Sequence, residues 1–327
     1  MFARLAILFS LLIVFIGIPA LFAGLCRWLM PRRYWKWGAC ACTLLIWATI
    51  AYGVFVGFEQ LEVHEVEYAS SDLPKAFDGY RIVQFSDAHV GTFKGSRQWM
   101  MKRAIDVMNN LHADAIVFTG DMQNLRPEEL KPHVSALRQL HAPDGVYSIL
   151  GNHDYSIYIE ADSVTREQNN LETQRLLRAT GWTLLMNEHR IIRRDSDSIV
   201  IAGMENWGKM LRMPRRGDVR KTLAGLNTQH PSPNTQAPFI VMLSHDPSAW
   251  REKILPESKA QLTLSGHTHG GQFSVLGWSP VGWTYDEWGG MTYEGSRALY
   301  VSTGLGGLIP FRLDMPGEIV VITLKSK

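Results

Sequence analysis

Two hydrophobic regimes divide the chain. Residues 5–26 and 37–58 form 22-residue runs without a charged side chain, each longer than the ~20 apolar residues that cross a bilayer core. Pro19 and Gly24 in the first run are tolerated in membrane helices. A cleaved signal peptide fits poorly: the apolar stretch is too long, and Cys26-Arg27-Trp28 is no small-residue cleavage site. The pattern predicts a two-helix membrane hairpin over residues 1–58. Beyond it the apolar runs shorten and alternate. Strands are predicted at 61–66, 80–85, 115–119, 146–150, 189–193, 198–203, 238–243, 261–264, 298–301 and 318–324. Met101, Ala104, Ile105, Met108 and Leu111 lie on one helical face behind a Ser96 cap. A second helix is expected from Pro127 with Leu130, Val134 and Leu137 on one side, and a third over 164–180, stopped by Gly181. Residues 229–237, with Pro231, Pro233 and Asn234, read as an exposed loop. Residues 59–327 are therefore expected to form one α/β domain.

Charge orients this plan. The segment between the apolar runs, 27–37, holds four basic residues and no acid, with Trp and Tyr of the kind found at headgroup level. Residues 59–80 carry six acids and one lysine. By the positive-inside rule the short loop is cytoplasmic and everything after Phe58 lies outside, on the periplasmic or extracellular side of a cell membrane. The net charge of +2 gives no case for nucleic-acid binding. Cys26, Cys40 and Cys42 are the only cysteines, which removes thiolate metal sites from the α/β region.

The chemistry sits where strands end. Five strands finish with a small residue and then a side chain able to bind metal: Asp87, Asp121, Asn152, His245 and His267. His89 and His269 follow two residues after the first and last. Each has an ordinary reading, as a turn residue, a left-handed asparagine or a helix cap. Together they match the rule that α/β sites form beyond the carboxyl ends of strands. In Ser265-Gly266-His267-Thr268-His269-Gly270-Gly271-Gln272 the glycines clear space for two imidazoles to meet one point. Seven donors exceed one tetrahedral ion. They suit two ions sharing a carboxylate, and the mixed oxygen and imidazole set fits manganese, iron or zinc. Such pairs clamp the attacking and leaving oxygens of phosphoryl transfer.

Asp-Ala-His, Gly-Asp, Gly-Asn-His-Asp, Ser-His-Asp-Pro and Gly-His-Thr-His-Gly-Gly-Gln, in this order, resemble the calcineurin-like metallophosphoesterase superfamily. The His-Asp-Pro and Gly-Gly-Gln elements look like its YkuE-type branch of bacterial, often membrane-anchored proteins. The resemblance covers about residues 61–324. It implies a four-layer α/β sandwich of two mixed β-sheets flanked by helices, here preceded by the hairpin. It also implies that Asp87, His89, Asp121 and His269 hold one divalent ion. Asp121 would bridge to a second, completed by Asn152, His245 and His267. His153 would contact phosphate and protonate the leaving alkoxide, and Asp154 would orient His153. A water activated by the ions would attack phosphorus in line. The expected substrate is a phosphodiester or pyrophosphate, lipid-linked or nucleotide-linked, with UDP-diacylglucosamine one option that the branch makes reasonable. A phosphomonoester or phosphoprotein phosphatase is the second reading, and a metal-binding scaffold without turnover the third. The intact His153 argues against a scaffold.

Three features fall outside the shared pattern. Lys209, Arg212, Arg215, Arg216, Arg220 and Lys221 crowd 209–221 with Asp218 the one acid. They form either a solvated face or a patch for headgroups or a substrate phosphate, with Arg215 and Arg216 as candidate contacts. Trp278, Trp283, Tyr285, Trp288 and Tyr293 form either packing under a loop or a lid. Arg312 is a candidate for substrate binding or for a surface ion pair.

Overall fold

The structure, a computed structural model, describes residues 13–226 and 238–327. The predicted loop at 229–237 and the start of the first predicted span lie outside the described residues. The chain divides into two compact units, one ending at Phe58 and the other spanning Glu59–Lys327.

In the first unit, π-helical Ile13–Gly17 leads into helix α1 (Ile18–Leu29), and a short turn connects it to α2 (Trp35–Phe55). The two pack through Gly38, where a Cβ would collide with the Met30 sulfur. The Cys26 and Cys42 sulfurs approach to 4.0 Å. Among the described residues one helix, Trp35–Glu59, is long and apolar enough to cross a membrane, and the apolar Phe15–Leu29 is shorter.

The second unit is built on two six-stranded mixed sheets. The first has the order β1 (Leu61–Ser70), β12 (Gly317–Ser326), β2 (Arg81–Phe85), β3 (Ala115–Phe118), β4 (Val146–Ser148), β5 (Thr183–Leu184). The second runs β10 (Gly290–Glu294), β11 (Arg297–Val301), β9 (Leu262–Ser265), β8 (Phe239–Leu243), β7 (Asp197–Gly203), β6 (Glu188–Arg194). Pairing is parallel except at β12–β2, β10–β11 and β6–β7. Because side chains alternate across a strand, each sheet turns one set inward. Ile82, Val117, Val320 and Ile322 meet Ile199, Ile201, Val241, Leu243, Leu264 and Tyr300 in a single apolar layer. The opposite set of the second sheet, Val200, Ala202, Ile240 and Met242, packs on Trp250 and Ile254 of the helical stretch after β8. Helix α3 (Trp99–Asn110) buries Met101, Ala104, Ile105 and Met108. Helix α4 (Ser163–Ala179) starts under an Asp162 side chain that accepts from the Thr165 amide.

Most predicted elements stand within a residue or two. The continuous helix expected from Pro127 does not form: the segment breaks into turns at Pro127–Glu129 and Lys131–His133 and a one-turn helix at Val134–Leu137. Pro132 lies in the second turn, and proline has no amide hydrogen to continue a helical ladder. β5 and β10 lie outside the predicted strands. β5 is two residues long, and β10 runs through Gly290 with partly exposed side chains, so neither carries an apolar period.

Candidate metal centre

Strands β2, β3 and β4 lie side by side in parallel, as do β8 and β9. Their carboxyl ends carry Asp87, Asp121, Asn152, His245 and His267, and the loops beyond add His89 and His269. The two sheets are tied at this rim. Gln84 donates from the end of β2 to the Ser265 carbonyl at 2.8 Å, and the His245 ring nitrogen Nδ1 bonds the Thr119 carbonyl at 2.8 Å. Asp87 Oδ2 accepts from the His267 amide at 2.9 Å, while its Oδ1 is buried without a hydrogen-bond partner.

The donor atoms then fall into two groups. In one, His89 Nε2 lies 3.1 Å from His269 Nε2, 4.0 Å from Asp87 Oδ1 and 3.7 Å from Asp121 Oδ2; His269 Nε2 is 3.4 Å from Asp87 Oδ1. In the other, His245 Nε2 lies 3.1 Å from Asp121 Oδ2, 3.0 Å from Asn152 Oδ1 and 3.2 Å from His267 Nδ1. Ligand atoms ~2.1 Å from one ion stand about 3.0–3.4 Å apart in tetrahedral or octahedral geometry. Five of the seven separations have the spacing of coordination shells, and the two from His89 to the carboxylates are wider. His153 joins the cluster, its ring nitrogen lying within 4.8 Å of His89 and Asp121 donor atoms.

Backbone strain is concentrated here. Asp87, His89, Asp121, His267 and His269 all have φ between 42° and 74°, a region that side-chain-bearing residues seldom occupy and that costs ~1–3 kcal/mol each. Two glycines make the approach possible. A Cβ on Gly266 would strike the Ser86 and Asp87 side chains, and one on Gly151 would strike the Asp121 carboxylate.

The electrostatics ask for positive charge. Burial pushes Asp87 up to about 6, with Asp121 adding to the rise. Burial opposes ionisation of Asp121 as well, yet His245 and His153 pull it below the ordinary carboxylate range. Burial would also neutralise His245, but Asp121 and Asp87 outweigh it and hold a proton there up to about 10. His89 and His269 are driven well below the usual imidazole value by burial, and His267 is lowered for the same reason. Neutral imidazoles such as His89, His267 and His269 and an ionised Asp121 are the forms that bind a cation, and His245 would give up its proton to join them. The donor set fits divalent metal.

The surroundings revise two expectations. Asp154 does not orient His153. Its carboxylate accepts the amides of Gly151, Asp121, Met122 and Gln123 at 2.9–3.3 Å, pinning together the loops that carry Asp121 and Asn152. His153 instead bonds the Asn124 carbonyl through Nδ1 at 2.5 Å and packs against Tyr158 in a tilted contact, ring centres 4.2 Å apart. Arg312 is fully buried and donates to the carbonyls of Thr303, Gly304, Gly306, Met315 and Pro316. With its donors turned inward it braces a loop and does not reach the surface. Arg215 and Arg216 are exposed. Arg215 donates to the Gly208 and Lys209 carbonyls, and Arg216 pairs with Glu167 at 2.7 Å. Trp278 and Trp283 form an exposed edge-to-face pair.

Tyr158 and Tyr285 take parts at the site that the sequence reading did not assign. The Tyr158 hydroxyl accepts from Asn152 Nδ2 at 2.8 Å, and Tyr285 bonds His267 Nε2 at 2.8 Å and lies 3.5 Å from Asp246. The only local signal was aromatic residues close after the His-Asp and Gly-His-Thr-His motifs.

The arrangement of strained loops, paired donor sets and a histidine beside them is that of a metal-dependent phosphoester hydrolase. Residues 80–271 match the description of the calcineurin-like phosphoesterase family, and the chain belongs to that family. It is 33% identical over 285 residues to the uncharacterized metallophosphoesterase YkuE of Bacillus subtilis, covering 84% of this chain and 89% of that one. A transmembrane protein with metallophosphoesterase domain from Danio rerio is 32% identical over 86% of this chain and 62% of its own length. The UDP-2,3-diacylglucosamine pyrophosphatase LpxG of Chlamydia trachomatis is 26% identical over 86% of this chain and 95% of its own.

Proposed function

We propose that the protein is a two-ion phosphoesterase that cleaves a phosphodiester or pyrophosphate bond in a lipid-linked or nucleotide-linked substrate, held at a bacterial membrane by its N-terminal helices. One observation carries the reading. Asp121 Oδ2 lies 3.7 Å from His89 Nε2 and 3.1 Å from His245 Nε2, so one oxygen belongs to both donor groups. Asp87, His89, Asp121 and His269 would hold one divalent ion, and Asp121, Asn152, His245 and His267 the other; the donor mix suits manganese, iron or zinc. When bound, the pair supplies a nucleophile from water at neutral pH and offsets charge on the phosphoryl oxygens.

The chain positions groups and moves a proton. His153 donates Nδ1–H to the Asn124 carbonyl, which leaves Nε2 to protonate the departing oxygen. A tilted contact with the Tyr158 ring supports the imidazole. Asp154 keeps the strained loops in register through four amide bonds. His245 is oriented by the Thr119 carbonyl and His267 by Tyr285, outer contacts of the kind that tune metal ligands.

The substrate side draws on the LpxG relative, a pyrophosphatase of a diacylated sugar nucleotide by name, and the membrane side on the apolar Trp35–Glu59 helix and the transmembrane relative. The basic 27–37 segment supports an outer location for the catalytic unit. The test is a screen of the purified full chain with manganese against phospholipids, nucleotide-linked lipids, aryl phosphodiesters and phosphomonoesters. Cleavage of a diester or pyrophosphate supports the proposal, and turnover of monoesters alone overturns it. A reporter active only in the periplasm, fused after Lys327, should work; a working cytoplasm-only reporter would reverse the orientation.

A further inference from the structure

Beside the metal centre lies a cavity of about 360 Å³, within the ~300–1,000 Å³ range of small-molecule sites. Four arginines line it, Arg166, Arg212, Arg215 and Arg216, against a single acid, Glu167. Glu167 is already paired with Arg216, so the wall carries uncompensated positive charge. Two donors are unspent. Arg166 bonds the Ile159 carbonyl through Nη2, but its Nε–H is buried without a partner. Arg212 is exposed and makes no hydrogen bond or ion pair among the described residues. An unpaired buried donor is costly, and guanidinium groups in numbers bind phosphate by paired N–H contacts.

The cavity's position says which part of a substrate it would receive. Tyr155, which directly follows His153 and Asp154, lines it, and so does Met213. The Tyr158 hydroxyl reaches the Met213 sulfur at 3.9 Å, while the Tyr158 ring covers His153. Tyr158 thus touches both Met213 on the cavity wall and the histidine assigned to protonate the leaving oxygen. A group departing on the side of its acid is directed toward this wall.

We propose that this cavity is a specificity site for a second phosphate, carried on the leaving group at a distance from the scissile bond. The assignment of sides rests on the role given to His153 above. The substrate class is then a phosphodiester or pyrophosphate whose leaving portion bears another phosphate, with Arg166 and Arg212 as its main contacts.

The test uses the full chain loaded with manganese and a series of alkanediol bisphosphates of increasing length, each compared with the alkyl monophosphate of the same length. Inhibition of aryl phosphodiester hydrolysis is read as the ratio of the two inhibition constants. We expect one chain length at which the bisphosphate binds at least ~10-fold more tightly, the gain of an effective-concentration effect. That ratio should collapse toward one in Arg212→Glu, an exposed position with little bearing on folding, and fall in Arg166→Gln. A ratio near one at every length in the wild type overturns the proposal, as does an unchanged ratio in Arg212→Glu. A loss in Arg212→Glu confined to vesicle-borne substrate, with the bisphosphate ratio intact, also overturns it and assigns the arginines to lipid headgroups. Calorimetric titration of the same ligand pairs reads the site even if no diester is turned over, which separates failure of this site from failure of the reaction assignment.

Discussion

The metal-donor loops and the basic segment at 209–221 are both dense in charge, and they are built by opposite rules. Asp87, His89, Asp121, His245 and His269 are buried, and four of the five lie on left-handed backbone. Lys209, Arg212, Arg215, Arg216, Arg220 and Lys221 are all exposed, and the Arg216–Glu167 pair is nearly half open to solvent. A centre that must hold donors to tenths of an ångström accepts strained φ and buried carboxylates, at a cost the two-sheet core has to offset. A surface that meets an anion keeps its cations hydrated and lets partners exchange. Surface pairs contribute ~0–1 kcal/mol, whereas breaking a buried set of charges costs several.

That contrast can be broken most severely at Asp121. Asp121→Ala should abolish both activity and most bound metal, measured by turnover and by metal analysis of the same sample. His153→Ala should keep its metal and lose roughly 10²–10⁴ in rate, with partial rescue by a substrate whose leaving group needs no proton. Equal metal loss in both variants would end the division of roles.

Arg312 sharpens the comparison, because by residue type it belongs with the surface arginines and by burial with the donor loops. Arg312→Met should strand the buried Gly304 and Gly306 carbonyls, at ~1–3 kcal/mol for each one left unsatisfied, and lower the thermal midpoint accordingly. If KM rises instead while the midpoint holds, Arg312 contacts substrate after all.

The smallest effect is expected at His64 on β1. Its bond to Glu318, helped by Glu62 and opposed by partial burial, raises its pKa to about 9. Folding therefore increases its proton affinity. The stabilisation is full below about pH 6.5 and is lost as pH rises through about 9. His64→Gln should be less stable than the wild type at pH 7 by chemical denaturation, with the difference closing above pH 9. A gap that widens with pH would contradict the pairing.

What could be read from the chain alone was whatever depends on local order. Strand periods, the small residue at each strand end and the chemistry of the side chain after it are encoded within a few positions. That is why the convergence of Asp87, Asp121, Asn152, His245 and His267 at one rim was legible before any fold was in hand. The helix expected from Pro127 failed on a local rule, the missing amide of Pro132, that its apolar spacing masked. Other assignments needed the folded molecule. Asp154 follows His153 directly, yet its carboxylate turns to the Asp121 loop, while the His153 ring finds the Asn124 carbonyl, 29 positions away. Arg312 carries the charge of a substrate contact but is enclosed by the carbonyls of its own loop. Spacing along the chain determines which groups are available. Only the packing of one sheet against the other decides which of them face each other, because each contact is set by the closure of loops whose ends lie on different strands.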